Sequence, residues 1–243
     1  MPLDALPHSA LPPAVAVPFP ASTPRLRETW PVHRRQALQL LAVSLAFIAI
    51  WSLIGLVLTH TLAGSRFVHA DVSVSSWLAR HRTSGWNNLT SIGSALADTT
   101  VKVVITAVLA SAMLWRWKRW REPLMIVIPL VLEALCFITV TTVVGRPRPS
   151  MSLDSSPVNS SYPSGHTAAA VAYAAFVVVL FWHTPRRWVR VVAVVAAVAV
   201  VMFVGLSRLY RGMHYTTDIV MGGLLGGMSV IVAFLILRRS ESP

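Results

Sequence analysis

The sequence predicts an all-α, polytopic membrane protein with six transmembrane helices and an interfacial helical segment between the first and the second. Three observations predict it. The 243 residues are 55% hydrophobic and only 12% charged, with a mean hydropathy of +0.63, whereas a soluble domain of this size needs more charge to cover its surface. The apolar runs are long enough to cross a bilayer core, which takes about 20 residues of helix. The basic residues cluster in the short stretches between those runs.

Residues 1–36 hold eight of the 16 prolines, with Ala, Ser and Thr between them. This composition predicts a disordered cytoplasmic tail. It does not read as a signal peptide, because no basic segment precedes a short apolar run near the start. A six-span membrane domain follows over 37–238, and 239–243 form a second short tail. Hydropathy places the spans at Ala37–His60, Thr100–Trp117, Pro123–Val144, Gly165–His183, Trp188–Leu206 and Asp218–Leu237. Between the first two lies Thr61–Thr99, where Val72, Val74, Trp77, Leu78, Leu89 and Ile92 alternate with Ser, Asn and Arg. That mixture reads as helix lying on or dipping into the membrane. A seventh span through Asn88–Asp98 is too short and too polar.

The formal net charge is +12. In a soluble chain that would suggest nucleic acid. Here the cations sit in loops, so anionic headgroups and topology account for them, and no nucleic-acid partner is expected. Arg25, Arg27, Arg34, Arg35, Arg116, Lys118, Arg119, Arg121, Arg186, Arg187, Arg190, Arg238 and Arg239 fall on one side, which the positive-inside rule makes cytoplasmic. Trp115, Trp117, Trp120, Trp182 and Trp188 fall at the same level, as an aromatic belt would. The expected location is the cell membrane, with both termini cytoplasmic. The single cysteine, Cys136, lies in an apolar run and can form no intrachain disulfide.

Three polar runs then fall together on the outer side: Arg146-Pro147-Arg148-Pro149, Pro163-Ser164-Gly165-His166, and Ser207-Arg208 followed by His214 and Asp218. The second opens the fourth span. A helix N-terminus offers unpaired N–H groups and the positive end of a dipole, so it suits an anion. Gly165 permits close approach, Ser164 can cap the helix or donate to a phosphate oxygen, and His166 sits in the first turn. Taken alone, a capped helix with a surface His explains this run equally well. His214 and Asp218 are four residues apart, on one helix face. A carboxylate there can accept the Nδ1 proton and leave Nε2 as a nucleophile; as an isolated pair it reads better as structural. Arg148 and Arg208 supply forked positive charge suited to phosphate. Arg146 and Arg211 fit either that role or lipid-headgroup contact. His69, Asp71 and His81 lack metal-ligand spacing and read as surface residues, so no metal site is expected. Glu133, mid-membrane, is either functional or a hydrogen-bonded packing residue.

Together the three runs resemble the type 2 phosphatidic acid phosphatase superfamily. Its pattern is Lys, six residues, Arg-Pro; then Pro-Ser-Gly-His; then Ser-Arg, five residues, His, three residues, Asp. Arg148-Pro149, Pro163 to His166, and Ser207, Arg208, His214 and Asp218 match it. The resemblance implies a membrane phosphatase that takes a lipid phosphate or prenyl diphosphate from the bilayer and needs no cofactor. It implies His214 as the nucleophile that forms a phosphohistidine, Asp218 as its orienting carboxylate and His166 as the acid for the leaving oxygen. Arg148, Ser164, Gly165, Arg208, Ser207 and Arg146 would hold the phosphate. One position departs: the family lysine falls at Thr141. Arg146, ahead of Lys102, is expected to compensate. The alternative is a non-catalytic lipid-binding or transport relative with an impaired site. The oligomeric state has no signature in the sequence.

Overall fold

Helix α1, Arg34–Leu56, starts where the His33 N–H donates to the Gln36 side chain at 2.9 Å. That reciprocal capping satisfies amides that would otherwise be orphaned at the helix start. A π-turn over Val57–Thr61 extends it. The computed structural model describes residues 32–156 and 158–239, so the predicted disorder of the tail lies outside the described residues. Next come α2 (Arg66–Arg80), α3 (Ser84–Ala95), α4 (Thr99–Trp117) and α5 (Arg121–Val144). Then follow α6 (Gly165–Ala172), α7 (Ala175–His183), α8 (Arg187–Tyr210) and α9 (Thr216–Arg239).

Among the described residues the protein is nearly all helical, and six stretches are long and apolar enough to cross a membrane. The expected fourth span is one such stretch but two helices. Around Tyr173 and Ala174 the backbone bonds shorten to three-residue steps, Ala174 to Val171 and Phe176 to Tyr173, which breaks the regular ladder. The segment between the first two spans forms α2 and α3. Neither is long enough to cross a bilayer, so the seventh-span option drops out.

Helix α5 is the central post. In its most apolar window 56% of residues are buried, against 6% in α4 and 11% in α8, which therefore face outward. It ends at Gly145, whose φ of 60° turns the chain sharply into Arg146.

The close approach of α6 and α9 positions the polar end. A Cβ on Gly222 would lie 2.3 Å from the Ser164 carbonyl oxygen, and one on Gly226 would lie 2.3 Å from that of Ala168. Only glycine at this four-residue spacing lets the two backbones meet. The Ser164 N–H then donates to the Asp218 backbone oxygen at 3.0 Å, tying the second motif to the third.

Helices α2 and α3 have an inverted face pattern. They bury Asp71, Ser75, Thr90 and Ser94 while exposing Phe67, Trp77, Trp86 and Ile92. Asp71, expected at the surface, is 5% exposed.

Candidate active site

The end of the bundle where α4, α6, α8 and α9 meet the 145–164 segment carries the polar groups. His214 sits in the turn between α8 and α9 and is 2% exposed. Its Nδ1 lies 2.6 Å from the Ser161 backbone oxygen. A carbonyl oxygen can only accept, so Nδ1 carries the proton and Nε2 keeps its lone pair. The expected hydrogen bond from His214 to Asp218 is replaced: Nδ1 is 4.0 Å from Oδ2. Asp218 instead accepts from the Tyr215 N–H at 2.9 Å and from Arg146 Nη1 at 2.5 Å. The four-residue spacing put both side chains on one face, but the buried carboxylate found stronger partners. Burial, with Arg208 and Arg148 nearby, holds the His214 conjugate acid well below the ordinary imidazole range.

Arg146 is also corrected. It was expected at the phosphate, yet it is 4% exposed and its terminal nitrogens are occupied. Nη1 donates to Asp218 and to Thr217 Oγ1 at 2.6 Å, and Nη2 to Asp71 at 3.1 Å. Asp71 also accepts from the Thr217 N–H and hydroxyl. A guanidinium between two buried carboxylates is pulled away from solvent, because each unpaired carboxylate would be costly there. Lys102, the other expected substitute for the family lysine, donates to Glu133 at 2.9 Å. Thr141 is buried and bonds back to the Phe137 and Ile138 carbonyls.

Arg148 is held by the Val158 and Met213 carbonyls, at 3.1 and 2.6 Å, and by Ser156 at 3.1 Å. Arg208 donates to Ser94 of α3 at 2.5 Å and lies 3.6 Å from Asp154; its Nε is buried without a protein partner. Asp154 forms a forked pair with Arg211, whose donors hold this carboxylate below its usual range. Arg211 is thereby tied to a loop carboxylate. Ser207 lies against Gly93, where a Cβ would come 2.1 Å from its hydroxyl. It packs α8 on α3, and its buried hydroxyl has no hydrogen-bond partner among the described residues.

Ser164 is fully buried and caps α6, accepting from the Thr167 N–H at 3.4 Å. It therefore caps the helix, as one of its two expected roles requires. A Cβ on Gly165 would touch the Phe137 ring at 3.0 Å, so a larger residue there would push the first turn away. His166 follows in that turn, with Nε2 2.9 Å from Asp98 Oδ1. Arg208, Arg148 and His166 are near enough for their charge to act on His214.

Sequence reasoning missed Asp71, Asp98, Asp154, Ser94 and the Ser161 carbonyl. A signal existed for the aspartates. The chain has only nine Asp and Glu, and every Asp among the described residues pairs with a cation or histidine at this end. Scarce carboxylates in an apolar chain sit where charge needs balancing.

This arrangement defines a class: a helical membrane protein with a serine-capped helix terminus, two held arginines and two histidines at one end. Comparison with known proteins gives that class a family. Residues 123–242 match the family described as PAP2 superfamily. An undecaprenyl-diphosphatase of Sulfolobus acidocaldarius is 36% identical over 32% of this chain and 34% of its own length. Phosphatidylglycerophosphatase B of Bacillus subtilis is 25% identical over 76% of this chain and 91% of its own. The crystal structure of a transmembrane PAP2-type phosphatidylglycerolphosphate phosphatase from Bacillus subtilis superposes with a TM-score of 0.65 at 20% identity. That superposition covers 85% of this chain and 96% of the other. Residues 123–242 carry the PAP2 superfamily pattern, and the fold of the chain is that of a transmembrane PAP2-type phosphatase.

Proposed function

We propose that this protein removes the terminal phosphate of a lipid phosphate or prenyl diphosphate through a phosphohistidine on His214. The observation that carries this reading is the Ser161 carbonyl on His214 Nδ1, which leaves Nε2 unprotonated beside Arg208, Arg148 and His166. Such a nitrogen can attack phosphorus while the arginines offset the charge on the transferring phosphoryl group, which is most of what phosphoryl transfer requires. The N–H groups of Gly165 and His166, not taken by the Ser164 cap, would add to that stabilisation. The Nε–H of Arg208, buried without a protein partner, is a further donor suited to a phosphate oxygen.

The step balances as follows. His214 Nε2 bonds to phosphorus as the bond to the leaving oxygen breaks. That oxygen keeps the electron pair and takes a proton from His166. Water then attacks phosphorus, His166 takes its proton, and the pair of the broken P–N bond returns to Nε2. Asp218 acts one layer out, by fixing the turn that carries His214 through the Tyr215 N–H and Arg146.

The exposed apolar faces of α2 and α3, beside a polar site, support an amphiphile entering sideways from lipid. The named relatives act on an undecaprenyl diphosphate and a phosphatidylglycerophosphate, which supports the same substrate class here. Arginine-rich inner loops support a site that faces outside the cytoplasm in the cell membrane. The decisive experiment is phosphate release by purified protein against a panel of lipid phosphates and prenyl diphosphates. Activity that disappears in His214→Ala, with an acid-labile phosphoenzyme trapped in the wild type, is the expected result. No release from any panel member would overturn the reading.

A further inference from the structure

The pair formed by Asp98 and His166 has no role in the motif pattern. Asp98 stands at the N-cap of α4, with φ −62° and ψ 148°. Aspartate is among the best capping residues, because its carboxylate accepts an orphaned N–H of the first turn. Asp98 makes no such bond. Its carboxylate instead crosses to α6, where Oδ1 lies 2.9 Å from His166 Nε2. Giving up a local contact for a long-range one is the pattern expected at functional positions.

Among the charges around His166, Asp98 favours its protonated form. From α8, Arg208 puts positive charge on His166; from α4, Lys102 does the same; His214 faces it from the turn before α9 and Asp154 from the 145–164 segment. Lys102 already has Glu133 and Asp154 already has Arg211. Asp98 is the carboxylate in direct contact with the imidazole. The two side chains are 55% and 25% exposed, which places the pair toward the rim of the site.

We propose that Asp98 is a positioning residue for the proton donor: it holds His166 through Nε2 and so aims Nδ1 at the leaving oxygen. This rests on the phosphatase reading above. In the first step the P–O bond breaks, the leaving oxygen keeps the electron pair, and the Nδ1 proton moves to it. The Nε2 proton stays on the hydrogen bond to Asp98. In the second step the neutral Nδ1 takes the proton of the attacking water, and the ring returns to its starting state. A carboxylate on the far nitrogen favours the cation before transfer and keeps the ring from turning after it.

The role predicts sensitivity to the leaving group, which a purely structural residue would not show. An alkoxide must be protonated as it departs, whereas p-nitrophenolate leaves without a proton. The test compares kcat/KM of the full chain on phosphatidic acid and on p-nitrophenyl phosphate, because kcat/KM reports the steps up to loss of the leaving group. Asp98→Ala should lose roughly tenfold to hundredfold on phosphatidic acid and less than about threefold on p-nitrophenyl phosphate. Asp98→Glu should recover part of the loss. His166→Ala combined with Asp98→Ala should be no worse than His166→Ala alone. Asp98→Asn keeps the shape, removes the charge and reads the same comparison where the alanine variant does not fold. Equal losses on the two substrates, no loss on either, or additive losses in the double variant would overturn the proposal. A wild type inactive on these two substrates and on the whole panel of lipid phosphates and prenyl diphosphates would instead remove the phosphatase reading, and this inference with it.

Discussion

His214 and Arg146 show how burial can serve opposite ends. His214 is buried yet aimed by a backbone carbonyl, so its neutral form keeps a free lone pair on Nε2. Its conjugate acid is held low by burial and by Arg208 and Arg148. Lowering the pH therefore protonates it only well below about 6.5, the ordinary value. The acid limb of kcat/KM, corrected for substrate ionisation, is expected below that value; a limb at or above it contradicts the assignment. His214→Ala should cost about 10³-fold or more in kcat/KM. Arg146 should behave as a structural cation. Removing it leaves Asp71 and Asp218 uncompensated, and breaking a buried pair costs about 3–5 kcal/mol. Arg146→Met should therefore lower the thermal midpoint in detergent as well as activity. A stable Arg146→Met variant with only a raised KM would return it to the phosphate. Since Lys102 is held by Glu133 as well, Thr141→Lys adds a cation that nothing else supplies. It should raise kcat/KM, by about tenfold if one charge-assisted contact of about 1.5 kcal/mol forms.

Among the elements, the α6–α9 contact decides whether the motifs meet. Gly222 and Gly226 face carbonyl oxygens that a Cβ would strike, whereas Cβ atoms on Gly223 and Gly227 would lie 3.9 Å from side-chain methyl carbons. Gly222→Ala and Gly226→Ala should force the helices apart and misplace His214 relative to His166. A displacement of about 1 Å can cost on the order of 10²-fold. Gly223→Ala and Gly227→Ala should be close to neutral. Rates and thermal midpoints of the four variants, measured side by side, test this; equal effects would show that the close approach is unimportant. Asp71 makes α2 part of the same assembly, since it holds both Thr217 and Arg146. Asp71→Ala should loosen the start of α9 and lower activity although α2 carries none of the motif residues.

On the scale of the whole molecule, charge supplied by arginines and a helix N-terminus predicts activity that survives chelation. EDTA should leave phosphate release intact. Vanadate should inhibit it, because a trigonal-bipyramidal oxyanion resembles the transition state. Loss of activity on chelation, restored by Mg²⁺, would contradict this mechanism. Reporter fusions that work only outside the cytoplasm should be silent after Arg239 and active within the Ser152–Ser161 loop. The reverse pattern would move the site to the inner face.

Composition and run length by themselves determined the six apolar helices, because bilayer thickness converts hydropathy directly into span length. Motif spacing nominated the residues proposed to carry the chemistry, and Arg208, Arg148 and His166 are the groups whose charge acts on His214. Local spacing could not determine which side chain holds which. Asp218 is one turn from His214, yet it pairs with Arg146, far back in the sequence. Asp98 comes from another helix to reach His166, and Asp71 comes from α2 to reach Thr217. Those choices belong to the tertiary structure. A buried carboxylate takes the strongest donor that packing brings near, and packing here turns on glycines that let two backbones touch.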